Sequence, residues 1–214
     1  MLMIKVFTFN HFEVNCYLIV DDSAQQCAIV DPACESSYED AQLTQYIEHQ
    51  QLTVSHILLT HAHVDHIAGL RQVCGHYRLP VTMHHDGRNL LKQAEAYGSV
   101  MGFAVDSMGD LEVHAIADND IIHIGSIKVE CRHVPGHCPG SMCFVVPQEK
   151  AVLTGDALFH FSIGRTDLPG GDYPTLIERI KTRILTLPDD YQVLPGHGID
   201  SRIDKERKYN SFLQ

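Results

Sequence analysis

Short runs of apolar and β-branched residues alternate with turn-forming residues along most of the chain. Runs of this length, bounded by glycine, proline, asparagine or aspartate, predict β-strands. The predicted strands are residues 3–9, 16–20, 26–30, 56–59, 81–84, 120–124, 127–134, 142–146, 151–153 and 192–194. The Gly125-Ser126 pair between two of these runs predicts a hairpin that joins residues 121–124 to residues 127–134.

Apolar residues three and four positions apart predict helices between groups of these strands. The predicted helices are residues 38–50, 67–76, 87–97 and 173–185, with a short last helix at 205–212. Because the helices follow groups of strands rather than single strands, a regular βαβ alternation is disfavoured. Two packed sheets with helices outside them are the better prediction. The sequence contains no repeat and no flexible linker, so residues 1–214 are expected to form a single domain.

Four of the predicted strands run into turn residues that are followed by side chains able to bind metals. Residues 56–59 lead into Thr60 and the stretch His61-Ala62-His63-Val64-Asp65-His66. The other three strands lead into His137, Asp156 and His197. Loops at strand ends, held by a rigid sheet, commonly carry binding residues. Imidazoles and carboxylates suit zinc, iron or manganese, so the sequence predicts a metal centre.

The spacing of the first group indicates a turning segment rather than a helix, because residues two apart diverge by about 200° on a helix. Asp65 is expected to cap the following helix, residues 67–76. Two metal sites can be assembled from these parts. The first would use His61, His63 and His137, the second Asp65, His66 and His197, and Asp156 could bridge them. Each metal would keep a position for a shared water, as in catalytic sites.

Composition narrows the classes of partner. The 214 residues include 15 histidines, and 16 basic against 27 acidic side chains give a formal charge of −11. This charge argues against nucleic acid and acidic membranes as partners. The chain shows neither a membrane-spanning apolar run nor a signal-peptide pattern at its start, so a soluble, cytoplasmic protein is expected. Seven cysteines without a C-x-x-C pair argue against a disulfide framework, and Cys138 is interpreted as a small buried residue.

The metal-binding pattern resembles that of the metallo-beta-lactamase superfamily. The resemblance lies in H-x-H-x-D-H at residues 61–66, His137 after Pro-Gly, Gly155-Asp156, and a second Pro-Gly-His at residues 195–197. It implies an α/β fold, the four-layer αβ/βα sandwich of two mixed sheets flanked by helices. It also implies that Asp31 orients a ligand histidine, although a plain strand terminator is an equal alternative for this residue.

The segment after Asp156 resembles the short bacterial glyoxalase-II-like, or hydroxyacylglutathione hydrolase-like, enzymes. It contains Gly164-Arg165-Thr166-Asp167 followed by Leu-Pro-Gly-Gly-Asp. Arg165, Asp167 and His160 are therefore candidates for a place near the substrate or the ligands, while a salt bridge within the loop is the favoured interpretation of the Arg165–Asp167 pair. The extra C-terminal helical domain with which true glyoxalase II grips glutathione is not expected here.

The resemblance implies an enzyme, a binuclear metallo-hydrolase with two divalent ions, zinc first and iron or manganese as alternatives. The expected reaction is hydrolysis of a small-molecule acyl thioester, such as S-lactoylglutathione, by a metal-activated hydroxide that Asp65 orients. One alternative is a mononuclear iron persulfide dioxygenase that uses His61, His137 and Asp156. A second alternative is a lactone or ester hydrolase, and a third is a binding module without turnover. The sequence does not indicate the oligomeric state. Among the other histidines, His133 is expected to be buried and hydrogen-bonded.

Overall fold

The computed structural model describes residues 2–214, and its first half forms a six-stranded mixed sheet. The strands lie in chain order: β1 (Leu2–Phe9), β2 (Val14–Asp21), β3 (Gln26–Val30), β4 (Thr53–Leu58), β5 (Val81–His84) and β6 (Val113–Ile116). Neighbouring strands are antiparallel from β1 to β3 and parallel from β3 to β6. The parallel strands all end at the same edge of this sheet.

The second half forms another six-stranded mixed sheet. Its elements are β7 (Ile121–Ile124), β8 (Ile127–His133), β9 (Met142–Val146), β10 (Ala151–Gly155), the small hairpin β11 (Leu158–Phe159) and β12 (Ser162–Ile163), β13 (Gln192–Pro195) and β14 (Ser201–Arg202). The sheet order is β14-β13-β10-β9-β8-β7, with β11 and β12 forming a separate two-stranded sheet. Only β10 and β13 pair in parallel among the described strands of this sheet.

Helices cover the outer face of each sheet. Their bounds are α1 (Ser37–His49), α2 (Leu70–Tyr77), α3 (Arg88–Lys92), α4 (Ala94–Met101), α5 (Tyr173–Arg179), which continues as a π-helical turn over Ile180–Ile184, and α6 (Ile203–Tyr209). Helix α1 begins with a capping box, in which the Ser36 side chain accepts from Glu39 and Glu39 accepts in return. This reciprocal pair satisfies backbone donors that the first turn leaves free.

Three buried layers hold the sandwich together. Between the sheets, Val30 and Leu58 pack in the same cluster as Phe144. Outside the first sheet, Ile47 of α1 belongs to a second cluster with the β1–β5 strands. Outside the second sheet, Ile180 belongs to a third. The result is the four-layer αβ/βα sandwich of two mixed sheets, which confirms the predicted fold class.

All ten predicted strands are present, and so is the predicted hairpin. Strands β7 and β8 pair antiparallel around Gly125, whose φ of +58° favours glycine. The prediction of one helix over residues 87–97 is wrong, because the chain forms α3 and then α4, separated at Gln93. Strands β6, β11, β12 and β14 were not predicted. Across residues 2–214, no helix is long and apolar enough to cross a membrane.

Candidate metal centre

The loops that follow β4, β8, β10 and β13 meet at one edge of the sandwich. They bring the seven predicted ligand residues together in three overlapping groups, within each of which the candidate ligand atoms lie within 4.8 Å of one another. These groups contain His61, His63 and His137; His61, His66 and Asp156; and Asp65, His66 and His197. One sheet supplies the loop after β4 and the other sheet supplies the remaining three, so the centre depends on both halves of the fold.

Asp156 lies between the histidines of the two predicted sites. Its Oδ1 is 3.3 Å from Nε2 of His66, and its Oδ2 is 3.6 Å from Nε2 of both His137 and His197. At the far side of the cluster, Nε2 of His197 is 3.2 Å from Oδ2 of Asp65. A single carboxylate therefore reaches both groups, which is the position that a bridging ligand requires.

Asp31 orients two of the histidines through one buried carboxylate. Its Oδ2 accepts a hydrogen bond from Nδ1 of His66 at 3.0 Å and another from Oγ1 of Thr60 at 2.6 Å. The Thr60 hydroxyl accepts in turn from Nδ1 of His61 at 3.0 Å. Because Nδ1 donates outward in both rings, Nε2 of each is left to face the cluster, as in metal sites that orient their ligand histidines.

Backbone carbonyls orient two more histidines in the same way. Nδ1 of His137 donates to the carbonyl of Arg165 at 2.8 Å, and Nδ1 of His197 donates to the carbonyl of Phe12 at 2.9 Å. Nε2 of each ring therefore points inward. The orientation of His63 differs, because its Nδ1 faces another histidine of the cluster and lies 2.9 Å from Nε2 of His137.

Strand β2 holds the loop that carries His197. The side-chain amide of Asn15 donates to the carbonyls of Pro195 at 3.1 Å and Gly198 at 2.9 Å, and the Tyr17 hydroxyl donates to Pro195 at 2.8 Å. Asn15 and Tyr17 both lie on β2, two positions apart. They fix a loop of the second sheet to a strand of the first.

Gly196 permits the close approach of this loop to the cluster. A Cβ at this position would lie 2.3 Å from Oδ1 of Asp156 and 2.7 Å from Cε1 of His66. Real side chains do not tolerate such contacts, so any larger residue would displace the carboxylate or the ring.

Three buried polar atoms in the cluster have no hydrogen-bond partner, namely Nε2 of His61, Nε2 of His66 and Oδ1 of Asp156. Buried polar atoms are almost always paired in folded proteins, so a convergent set without partners needs an explanation. Imidazole nitrogens and carboxylate oxygens are the donors that zinc and similar divalent ions take. The residues present therefore fit divalent metal ions.

Burial keeps two of the histidines neutral. It holds the pKa of His61 well below its ordinary value, and the neighbouring His66 lowers that pKa further. Burial, followed by repulsion from His137, lowers the pKa of His63 to about 4. A neutral imidazole is the form that binds a metal, so these rings need lose no proton before binding.

The two carboxylates of the cluster stay ionised despite their burial. Burial alone would raise the pKa of Asp156, but attraction to His66 outweighs it and holds that pKa well below its ordinary value. The same balance lowers the pKa of Asp65, where His66 and His197 outweigh burial. Conversely, Asp156 and Asp65 raise the pKa of His66 well above its ordinary value although burial opposes this.

The expected capping role of Asp65 is wrong. Helix α2 begins at Leu70 with Gly69 at its N-cap, and no side chain caps it. The preceding segment forms turns, in which the amide of His66 donates to the carbonyl of His63 at 3.1 Å. These turns place Asp65 before the start of α2 and direct its carboxylate at the histidine cluster. The carboxylate therefore does not accept a hydrogen bond from the backbone amides of α2.

The three candidates from the loop after Asp156 lie at the margin of the centre or outside it. Arg165 and Asp167 form a two-pronged exposed salt bridge, with both N···O distances 2.8 Å. Arg165 lines the cavity described below, whereas Asp167 and His160 do not. Nδ1 of His160 instead donates to the carbonyl of Asp200 at 3.2 Å.

Cys138 is the small buried residue that the sequence predicts, and its position in the fold gives it a second property. Its thiol lies within ligand reach of His61, His63 and His137. Burial raises the pKa of this thiol to about 12, and its Sγ is 3.3 Å from Oγ of Ser141. The one signal in the sequence was its position directly after His137.

His133 also differs from expectation. It is half-buried, and its ring stacks on that of His84, with centroids 4.0 Å apart and planes 10° from parallel. Its Nε2 is buried without a hydrogen-bond partner. The expected hydrogen bond is therefore absent at this atom, and the main contact of the ring is the stack on His84.

A cavity of about 480 Å³ opens directly above the cluster. Its floor includes five of the candidate ligands, which are His63, Asp65, His137, Asp156 and His197. Its walls come mainly from apolar side chains of the β1–β2 loop and of α3 and α4. Sequence patterns did not identify these wall residues, because apolar residues on a helix ordinarily indicate a core face. A small molecule in the cavity would contact the candidate ligands directly.

Comparison with known proteins agrees with this geometry. Residues 10–197 match the Metallo-beta-lactamase superfamily, so the chain belongs to this family of metal-dependent proteins. Two solved structures share the fold over nearly the whole chain. One is the BLEG-1 B3 metallo-beta-lactamase, with a TM-score of 0.89 and 32% identity over 99% of this chain and 100% of that one. The other is TTHA1623 in a di-iron-bound form, with a TM-score of 0.87 and 31% identity over 98% and 100%.

Three curated relatives are also similar. The probable metallo-hydrolase YqgX of Bacillus subtilis is 38% identical over 94% of this chain and 92% of its own length. The hydroxyacylglutathione hydrolase GloC of Haemophilus influenzae is 35% identical over 98% and 97%. The human mitochondrial persulfide dioxygenase ETHE1 is 31% identical over 92% of this chain and 70% of its own.

Proposed function

We propose that the protein hydrolyses acyl thioesters at a binuclear centre, with zinc as the first candidate ion. The observation that carries this proposal is the position of Asp156. Its carboxylate reaches His66 on one side and His137 on the other, and one of its oxygens is buried without a partner. In this proposal His61, His63 and His137 would hold one ion, Asp65, His66 and His197 would hold the other, and Asp156, which lies between the two groups, would serve both.

The ions and the residues around them would have separate roles in the proposed hydrolysis. Divalent ions held here would supply Lewis acidity, which lowers the pKa of water and polarises a carbonyl. Asp65 is ionised and lines the cavity, so its carboxylate would accept a hydrogen bond from the attacking water and fix the direction of attack. Asp31 positions His61 and His66 from outside. A thiolate leaves readily because thiols have a pKa of about 8.5, so no dedicated general acid is required.

The similarity to a persulfide dioxygenase supports a second candidate. A single iron could be held by His61, His137 and Asp156, which is the two-histidine, one-carboxylate arrangement of many oxygenases. That assignment leaves the partnerless Nε2 of His66 unexplained. We therefore rank the dioxygenase second, and hydrolysis of an ester or lactone at the same centre third.

Replacement of Asp65 tests the proposed hydrolysis. Asp65→Asn removes the carboxylate that would orient the attacking water and hold one ion, so we expect kcat/KM for thioester hydrolysis to fall by at least about 100-fold. Release of free thiol is the measurement. Asp190→Asn is the matched control, because Asp190 forms an exposed ion pair with Lys150 far from the cluster. Near-normal turnover in Asp65→Asn would refute this role.

Two assays on the metal-loaded protein separate the candidates. Release of thiol from acyl thioesters without oxygen uptake supports the hydrolase. Oxygen uptake on glutathione persulfide, with one iron per chain and no thioester hydrolysis, would replace it with the dioxygenase. Turnover of esters or lactones alone would favour the third candidate.

A further inference from the structure

The wall of the cavity exposes an unusual amount of apolar surface. Val100 is 81% exposed, Met101 42%, Tyr97 40% and Phe12 38%, and all four line the cavity. Three of them lie on α4, and Phe12 lies across from this helix on the β1–β2 loop. Exposed apolar surface that is gathered around a pocket, rather than scattered, is typical of a binding site.

This wall is held in place by packing. Helix α4 approaches the centre at Gly98, where a Cβ would lie 2.4 Å from Val105 and 3.4 Å from the Val64 side chain. Val64 itself lines the cavity beside Asp65. Across the opening, the ring of Phe12 lies 5.3 Å from that of Phe103, which follows α4. The two sides of the wall are therefore tied to each other and to the candidate ligand loop.

Apart from the ions proposed at its floor, the described lining of the cavity gives an anionic substrate a single lysine or arginine side chain, which is already paired. Arg165 is the one lysine or arginine among the described lining residues, and Asp167 engages its guanidinium at two positions. S-Lactoylglutathione carries two carboxylates, and binding them would require basic partners near the cavity. An apolar chain makes the opposite demand, since it gains from every methylene that leaves water.

We propose that the wall formed by Phe12, Tyr97, Val100 and Met101 is a subsite for an apolar acyl chain. The proposal rests on the proposed thioester hydrolysis and names its substrate class, which is thioesters of apolar acids rather than of small hydroxy acids. With the acyl chain of the substrate against this wall, the thioester carbonyl lies at the floor of the cavity beside Asp65. Water adds to the carbonyl carbon, the carbon–sulfur bond breaks, and a carboxylic acid and a thiol are released. The acid then loses its proton to the solvent.

A series of acyl chains on one neutral thiol tests the subsite. We expect kcat/KM to rise about threefold for each methylene from the acetyl to the hexanoyl thioester of N-acetylcysteamine. The kcat/KM of the hexanoyl thioester should also be higher than that of S-lactoylglutathione. A flat series, or a preference for S-lactoylglutathione, would overturn the proposal while leaving thioester hydrolysis intact.

Two matched variants locate the effect on the wall. Val100→Asp places a carboxylate where the chain would lie, so the hexanoyl-to-acetyl ratio of kcat/KM should fall by at least about tenfold. Tyr38→Asp makes a similar change at a side chain that is 71% exposed and does not line the cavity. Its ratio should equal that of the wild type. The same ratio in all three proteins would contradict the assignment of the wall.

A binding measurement separates failure of the subsite from failure of the hydrolase. In calorimetric titration of the metal-loaded protein, octanoate should bind at least about tenfold more tightly than acetate, and Val100→Asp should remove the difference. Tighter octanoate binding without hydrolysis of any thioester would leave the subsite standing and overturn the proposed function. Equal binding of the two acids would overturn the subsite, whatever the activity.

Discussion

Asp31 shows how much one side chain outside the cluster contributes to it. The residue follows β3 directly, with a left-handed φ of +53°, and is almost completely buried. Its Oδ1 accepts from the Thr60 backbone amide at 2.7 Å, and its Oδ2 accepts from Nδ1 of His66 and from the Thr60 hydroxyl, which itself contacts Nδ1 of His61. The alternative of a plain strand terminator does not account for these contacts.

Asp31→Asn should weaken metal binding more than it weakens the fold. The amide cannot accept from both Thr60 and His66 as the carboxylate does, so we expect metal affinity to fall about 10-fold to 100-fold. Competition with a chelator measures it. Asp21→Asn is the control, because Asp21 is also buried and hydrogen-bonded but contacts Ser126 far from the centre. Equal metal affinity in the wild type and Asp31→Asn would exclude a positioning role.

Residue types and spacing were enough to select the seven candidate ligands, because metals require particular donors and the donors follow predicted strands. The direction of each side chain was not predictable. Asp65 was expected to cap α2, and His133 to form a hydrogen bond. Both errors have one cause, since the orientation of a side chain depends on neighbours from distant parts of the chain, such as His197 for Asp65 and His84 for His133.

At the scale of elements, close approach of loops is as important as the strands that carry them. A Cβ at Gly164 would lie 1.8 Å from the backbone oxygen of Asp156 and 3.0 Å from Nδ1 of His137. Gly164→Ala must therefore shift the β12 loop or the Asp156 loop. We expect it to destabilise the fold by about 1–3 kcal/mol and to weaken metal binding.

Gly75→Ala is the matched control in the same denaturation experiment. Gly75 lies within α2, is exposed, and has no atom within 4 Å of its would-be Cβ. The alanine should stabilise the protein by about 0.5–1 kcal/mol because it lowers the entropy cost of the helix. Equal effects of the two substitutions would show that the contact at Gly164 does not constrain the loops.

The stacked pair of His84 on β5 and His133 on β8 should make stability depend on pH. Burial, then repulsion from His84, lowers the pKa of His133 to about 4 from an ordinary 6.5, and burial lowers the pKa of His84. The unfolded chain therefore binds more protons between these values. The contribution of this pair to the free energy of unfolding is therefore fully present above pH 6.5 and is lost as the pH falls towards 4. For the half-exposed His133 the loss is on the order of 1 kcal/mol after allowance for solvent screening.

Denaturation at several pH values measures this dependence. His133→Phe keeps an aromatic ring against His84 and removes one titrating group, so its stability should decrease less steeply below pH 6.5 than that of the wild type. His49→Phe, at the exposed end of α1, should leave the slope unchanged. A wild-type slope in His133→Phe would contradict the neutral state of this half-buried histidine.

Apolar and β-branched runs bounded by turn residues predicted ten strands, but other elements left weaker signals in the sequence. Strands β11, β12 and β14 have only two residues each, and β6 is a four-residue edge strand with two exposed positions. The break between α3 and α4 at Gln93 contains no proline or glycine. Tertiary packing determines these features, so local sequence does not indicate them.

At the scale of the whole molecule, the centre exists only when the two sheets are correctly packed. The loop after β4 brings His61, His63, Asp65 and His66 from the first sheet, and the second sheet brings His137, Asp156 and His197. The backbone amide of Asn15 on β2 donates to the carbonyl of Gly196 at 2.7 Å, and this hydrogen bond joins the two sheets beside the cluster. Ions bound across this junction should stabilise the folded state, because they bind the unfolded chain more weakly.

The number of metal ions per chain tests the binuclear centre most directly. Metal-free protein would be titrated with zinc in a calorimeter, in parallel with Asp156→Ala, which removes the carboxylate between the two groups of histidines. We expect two ions per chain in the wild type, with a higher melting temperature on saturation, and weaker binding with at most one tightly held ion in the variant. A single ion per chain in the wild type, unchanged in Asp156→Ala, would contradict a bridged pair of metals.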